Sequence, residues 1–173
     1  MSSVPVERAM PATRGVIFVH ACPPALAPHV EWALGSVLTQ RVRLQWSAQP
    51  YRPGELRAEA DWFGPAGMGS LLAAALRPWP MLVFEVSENG TALTDGERLA
   101  YLPGRGFHRR MISANGDVMV GEERLRALLS SARDGAELRH GMDELLGASW
   151  DEELEPYREG AWGQPVTLLR QVV

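Results

Sequence analysis

The chain has 173 residues, 46% of them apolar, and a formal net charge of -4, enough to bury one core but without the clustered cations of a nucleic-acid surface. All 17 basic residues are arginine, which excludes Schiff-base chemistry and any phosphate loop that needs a lysine. The single cysteine, Cys22, excludes an internal disulfide and a multi-cysteine zinc or iron–sulfur site supplied by one chain, and fits a reducing compartment.

Residues 1–13 are polar, proline-bearing and aperiodic, the pattern of a loose leader without the apolar core of a signal peptide. Met10 is a second candidate translation start. No apolar stretch approaches the ~18 residues of a membrane span, so a soluble cytoplasmic protein is expected. From Gly15, the run Val16, Ile17, Phe18 and Val19 is apolar at every position, as in a strand covered on both faces. Pro23 and Pro24 then open a helix whose Leu26, Val30, Ala33, Leu34, Val37 and Leu38 keep the helical period.

Val42, Leu44 and Trp46 alternate with Arg41, Arg43 and Gln45, and Leu56, Ala58, Ala60 and Trp62 alternate with Arg57, Glu59 and Asp61. Period-two alternation predicts two half-exposed strands, joined by a wide hairpin over residues 49–54. A second helix is expected at about 68–76, with Leu71, Leu72, Ala75 and Leu76 buried, ending at Pro78. Residues 81–86 make a fourth strand, apolar except at Glu85.

This βαββαβ order over about 14–87 predicts an α+β fold, a ferredoxin-like sandwich with both helices on one face of a four-stranded antiparallel sheet. The whole of 14–173 is read as one domain. First and fourth strands are central in that topology, so their outer faces need a cover, which the C-terminal half, 88–173, is expected to supply.

In that half, short strands are expected at 98–102 and 107–112, and Asn115-Gly116 signals a type I′ hairpin onto 117–120. Helical spacing returns with Leu125, Leu128 and Leu129, breaks at Asp134-Gly135, resumes with Leu138, Met142, Leu145 and Leu146, and stops at Gly147. An acidic segment, 150–157, precedes a Gly- and Pro-containing loop and a last apolar run, 166–173, expected to add a strand to the sheet.

His20, Cys22 and His29 gather where the first strand meets the first helix. A thiol beside an imidazole is a candidate nucleophilic pair, with Glu31 a candidate orienting acid, while a small buried cysteine accounts for the same pattern. Their spacing matches no zinc pattern, so neither metal nor cofactor is expected. Gly64, Gly67 and Gly69 before Ser70 offer helix N–H groups to a phosphate or carboxylate, or simply let helix and sheet pack closely.

Arg43, Arg57, Glu59, Asp61 and Glu85 fall on outward strand positions with His20, either as a network for a small anionic metabolite or a partner loop, or as a solvated face. Arg105, His108, Arg109 and Arg110 form the densest basic cluster. Asp151, Glu152, Glu153 and Glu155 form an acidic one, and pairing of the two within one chain is favoured over a partner. Trp32, on the polar side of its helix, is the candidate contact with another subunit, in a homodimer, or with the C-terminal segment.

The blocks Thr13-Arg14-Gly15-Val16-Ile17-Phe18-Val19-His20, Pro28-His29-Val30-Glu31-Trp32-Ala33-Leu34-Gly35, Ala114-Asn115-Gly116-Asp117-Val118 and Trp150-Asp151-Glu152-Glu153-Leu154-Glu155-Pro156 together resemble an actinobacterial family known as domain of unknown function 3145. The likeness runs from about residue 13 to the C-terminus. It implies an actinobacterial, cytoplasmic protein and brings no catalytic residues with it. With no assembled catalytic set, the residues point to a non-catalytic regulatory or adaptor module that binds a small ligand or a protein. The alternative is a small enzyme using Cys22 and His20 for acyl or thioester transfer.

Overall fold

The apolar run after Gly15 lies at the centre of a wide sheet. The computed structural model describes residues 11–159 and 166–170. In chain order these form β1 (Ala12–Cys22), a 3-10 turn (Pro24–Leu26), α1 (Ala27–Leu38), β2 (Ser47–Ala48), β3 (Leu56–Pro65), α2 (Met68–Leu76) and β4 (Val83–Glu88). Then follow β5 (Gly96–Leu102), β6 (Gly106–Ile112), β7 (Val118–Met119), α3 (Glu122–Ser131), α4 (Gly135–Leu146), α5 (Ala148–Glu159) and β8 (Val166–Arg170). Among the described residues the sheet order is β2-β3-β1-β4-β5-β6-β7, antiparallel throughout, and β8 pairs in parallel with β3. The expected terminal strand is therefore present over Val166–Arg170, while 171–173, residues 1–10 of the expected leader with Met10, and the expected loop at 160–165 lie outside the described residues.

Alternation along each strand sends one set of side chains to the helix side. There Ile17, Val19, Ala60, Trp62, Phe84 and Val86 pack against Val30, Leu34 and Leu38 of α1 and Leu72 and Leu76 of α2. Each large apolar side chain buried here contributes about 1.5–3 kcal/mol, so this layer carries the fold. The opposite face has a smaller apolar layer, Ala21, Val83, Ala100 and Leu102 under Trp150 and Leu154. Among the described residues no helix is long and apolar enough to cross a membrane.

Several expectations are corrected. β1 begins at Ala12, inside the expected leader, and buries Thr13, whose hydroxyl donates to the Asn89 carbonyl at 2.6 Å. Residues 42–46 make no strand. Their polar groups turn to α1: the buried Glu31 carboxylate accepts from Leu44 N (2.9 Å), Trp46 Nε1 (3.1 Å) and Arg43 Nη1 (2.8 Å). Only Ser47 and Ala48 reach the sheet edge.

On α2, Leu71 is 58% exposed, and Met68 and Ala73 join Leu72 and Leu76 in the core instead. The turn at Asn115-Gly116 is not type I′, which needs positive φ at both central residues. Gly116 has φ 91° while Asn115 does not, and the loop closes through Gly116 N to Ser113 O and Ser113 N to Asp117 O. The cover for the outer face is not the leucine-bearing pair α3 and α4, which bury no residue fully, but the acidic segment, which forms α5.

Candidate functional site

Helix α5 leaves part of the outer face open. Its apolar residues Trp150, Leu154 and Tyr157 recur at helical spacing and dock on Ala21, Val83, Ala100 and Leu102, and Asp151 and Arg158 border the same stripe. Gly147, with φ 79°, ends α4 and lets α5 start tight against β6, since a Cβ there would sit 2.7 Å from His108 Nε2. Beyond Tyr157 a cleft of about 330 Å³ opens, lined among the described residues by Phe18, His20, Glu85, Ser87, Arg98 and Arg158. The strand residues reach it by register: Phe18 on β1 faces Glu85 on β4, and Ser87 on β4 faces Arg98 on β5.

One wall of the cleft is a chain of alternating charges. His20 Nε2 lies 2.8 Å from Glu85 Oε2, and Arg158 grips both Glu85 oxygens, at 2.9 and 2.6 Å. Arg158 also donates to Asp151 Oδ1 at 3.0 Å, and Arg110 clasps Asp151 with bonds of 2.7 and 2.8 Å. Burial alone pushes the Glu85 carboxyl up, but the hydrogen bonds and charge of His20 and Arg158 outweigh it and hold it at about 2. The same balance, burial overcome by paired charges, lowers Asp151 and raises Arg158.

His20 is 1% exposed, stacks against Phe18 at 5.7 Å, and accepts at its backbone carbonyl from the buried Gln49 amide at 2.6 Å. Its second ring nitrogen, Nδ1, is buried and has no hydrogen-bond partner among the described residues. On β3, Arg57 is equally buried and its Nη1 also lacks a partner among the described residues. Burial lowers the Arg57 pKa against the charge of Glu59, and burial raises Glu59 against Arg57. Arg98 differs from these groups, being half-buried and without an acidic partner among the described residues.

The nucleophile expectation fails on geometry. Cys22 is 0% exposed and belongs to the helix-side core, whereas His20 faces the other side of the sheet. Its Sγ donates to the Pro23 carbonyl at 3.3 Å, and burial, then the Glu55 charge, pushes the thiol up to about 12. His29 is exposed on α1 beside Trp79. Glu31 orients no imidazole, because its oxygens are taken by the 43–46 segment.

The glycine turn before α2 already holds its anion. Glu88 accepts from Gly67 N and Gly69 N, both at 2.7 Å, and a Cβ on Gly69 would meet Glu88 Oε2 at 3.0 Å. Arg43 pairs with Glu31 and so leaves the expected network with His20, which Glu85 alone joins by a direct bond. Arg109 points to the helix side and pairs with Glu97 at 2.5 Å, away from Arg110.

The remaining basic and acidic groups pair within the chain, Arg110 with Asp151 and Arg105 with Glu153. Glu152 stays exposed on α5, and Trp32 is 72% exposed on α1. Sequence reasoning missed Ser87, Arg98 and Arg158. The alternation of Arg98, Ala100 and Leu102 and the spacing of Asp151, Leu154 and Arg158 were the available signals.

Fold and cleft define an α+β protein with an antiparallel sheet and a polar hollow on the face away from its two core helices. By sequence the chain belongs to the family described as protein of unknown function (DUF3145), whose model matches residues 16–171. No curated protein and no solved structure matches it.

Proposed function

We propose that this is a non-catalytic binding module of the cytoplasm, built on a ferredoxin-like core, whose outer-face cleft takes a small anionic ligand. The order β2-β3-β1-β4 and the packing of α1 and α2 on one face support the core assignment. A single free cysteine, buried, is in keeping with a reducing compartment.

Arg98 carries the reading. Glu85, Arg158, Asp151 and Arg110 neutralise one another, while Arg98 lines the cleft with no acid paired to it among the described residues. Polar groups that pair so fully are suited to shaping a site rather than to transferring protons. The test is native mass spectrometry of protein purified without denaturation. Wild type is expected to retain a mass that Arg98→Ala lacks, and bare protein in both would refute the reading.

A protein-binding reading rests on Trp32, which borders a groove of about 440 Å³ together with Arg41 and Arg43. Light scattering on wild type and Trp32→Ser checks it, since a shared monomeric mass would remove the homodimer form of this reading.

A further inference from the structure

We infer that α3 and α4 form the interface of a homodimer, in which the helical hairpin of one copy packs antiparallel on the same hairpin of a second across a two-fold axis. No residue of either helix lines the cleft, and Trp32 lies on α1.

The hairpin has no core of its own. Its helices, 10 and 12 residues long, bury no residue fully. Helices shorter than about 12–15 residues are marginal in water and draw their stability from burying an apolar face. Inside the hairpin, Leu128 fills the notch at Gly141, where a Cβ would collide with its side chain. That contact uses one flank of each apolar stripe. Leu129 follows Leu128 as Met142 follows Gly141, and in antiparallel neighbours this single step turns both side chains to the same flank. Leu129 is 66% exposed, and Met142 and Leu146 are 36% and 41% exposed. An apolar flank of this kind on a water-soluble surface marks a contact.

The charges beside it select a second copy. Glu122 and Glu137 are matched within the chain, by Arg126 and Arg133. Arg139 and Asp143, one on each side of Met142, make no ion pair among the described residues. Their order along the helix, cation before anion, is the less favourable one for pairing within it. A two-fold axis crossing α4 near Gly141 and Met142 sets Arg139 of each copy against Asp143 of the other, so two residues make both pairs. Having one charge of each sign, this flank gives no net field to steer an acidic or a basic partner, whereas it complements itself. The two hairpins together make a four-helix bundle with Leu129, Met142 and Leu146 inside.

Sedimentation velocity on the full-length protein over a dilution series tests this. Wild type is expected to dimerise with a Kd on the order of 10 μM, as suits a small interface with few anchors. Leu129→Glu and Met142→Glu are each expected to weaken the dimer at least about 100-fold, by placing an unpaired carboxylate in the seam. Arg139→Asp and Asp143→Arg are each expected to weaken it about tenfold through like charges, and the two together to restore it. Trp32→Ser is expected to leave it unchanged. A wild type monomeric up to about 1 mM would overturn the inference, as would a dimer that survives Met142→Glu or is lost on Trp32→Ser. Should either glutamate variant lose its helical circular dichroism, the charge exchange at 139 and 143 decides alone: failure of the double variant to recover overturns the two-fold pairing. None of these outcomes bears on the ligand retained in the cleft.

Discussion

Acid is expected to loosen the outer face through Glu85, and the size of the effect follows from the geometry. Its side chain is 5% exposed, and its carboxyl is held from an ordinary 4.5 down to about 2 by His20 and Arg158 acting against burial. Because the folded pKa is depressed, the stabilisation is fully present above about pH 4.5 and is lost as pH falls toward 2. At about 1.4 kcal/mol per pH unit the whole effect is about 3 kcal/mol, of which about 2 kcal/mol is gone by pH 3.

Glu85→Gln removes the titrating group. At pH 7 the variant is expected to be less stable than wild type by about 3 kcal/mol, since Arg158 and His20 lose their anion. Its stability is then expected to decline less steeply with acid, so the two curves approach each other by about pH 3. Urea unfolding followed by tryptophan fluorescence from pH 7 to pH 3 reads both. Two curves that stay parallel, with a constant gap at every pH, would refute the assignment of this pH dependence to Glu85.

Glu31→Ala strips the partner from Leu44 N and Trp46 Nε1 and is expected to cost about 3 kcal/mol in urea unfolding, with early hydrogen exchange at Leu44; unchanged exchange there would remove Glu31 from its anchoring role. Glu88→Ala uncaps α2 and is expected to cost about 2 kcal/mol, and a loss below about 0.5 kcal/mol would mean that the glycine N–H groups find water instead. Cys22 is expected to resist iodoacetamide at pH 8 until urea unfolds the chain; labelling of the native protein at the rate of a model thiol would contradict its burial and raised pKa.

The central strands and both core helices were legible because their patterns are local. Ile17, Val19, Leu34 and Leu72 each declare a buried side through the spacing of their neighbours, and strand order then follows from short connections. Residues 42–46 show the limit of that logic. Alternation says which side chains face inward and nothing about where the backbone bonds, and here Glu31 captures the Leu44 amide before the sheet can. Helix α5 was hidden by composition: Trp150, Leu154 and Tyr157 form its whole apolar stripe, and the acids around them read as an acidic patch. Leu71 and Met68 exchanged roles because α2 is anchored at its start by Glu88, which sets the rotation of the helix on the sheet.

The site was less legible for a different reason. Glu85 was visible as the one acid in an apolar strand, but its partners come from β1 and from α5, far away in the chain. Arg98 stands out only by lacking an acidic partner among the described residues, and an absent partner becomes visible only when the surrounding charges have been placed. The same pairing explains why a cleft exists at all. An apolar helix would spread over the outer face to maximise contact, whereas α5 is pinned by directional bonds from Arg158 and Asp151 to Glu85 and Arg110. Ion pairs of this kind, with Glu85 and Arg110 buried and Asp151 and Arg158 half-buried, add little net stability compared with apolar packing, yet each fixes one geometry. They hold α5 over Val83 and Ala100 and stop it short of Phe18 and Arg98, so the charge that keeps the helix in place also keeps the cleft open.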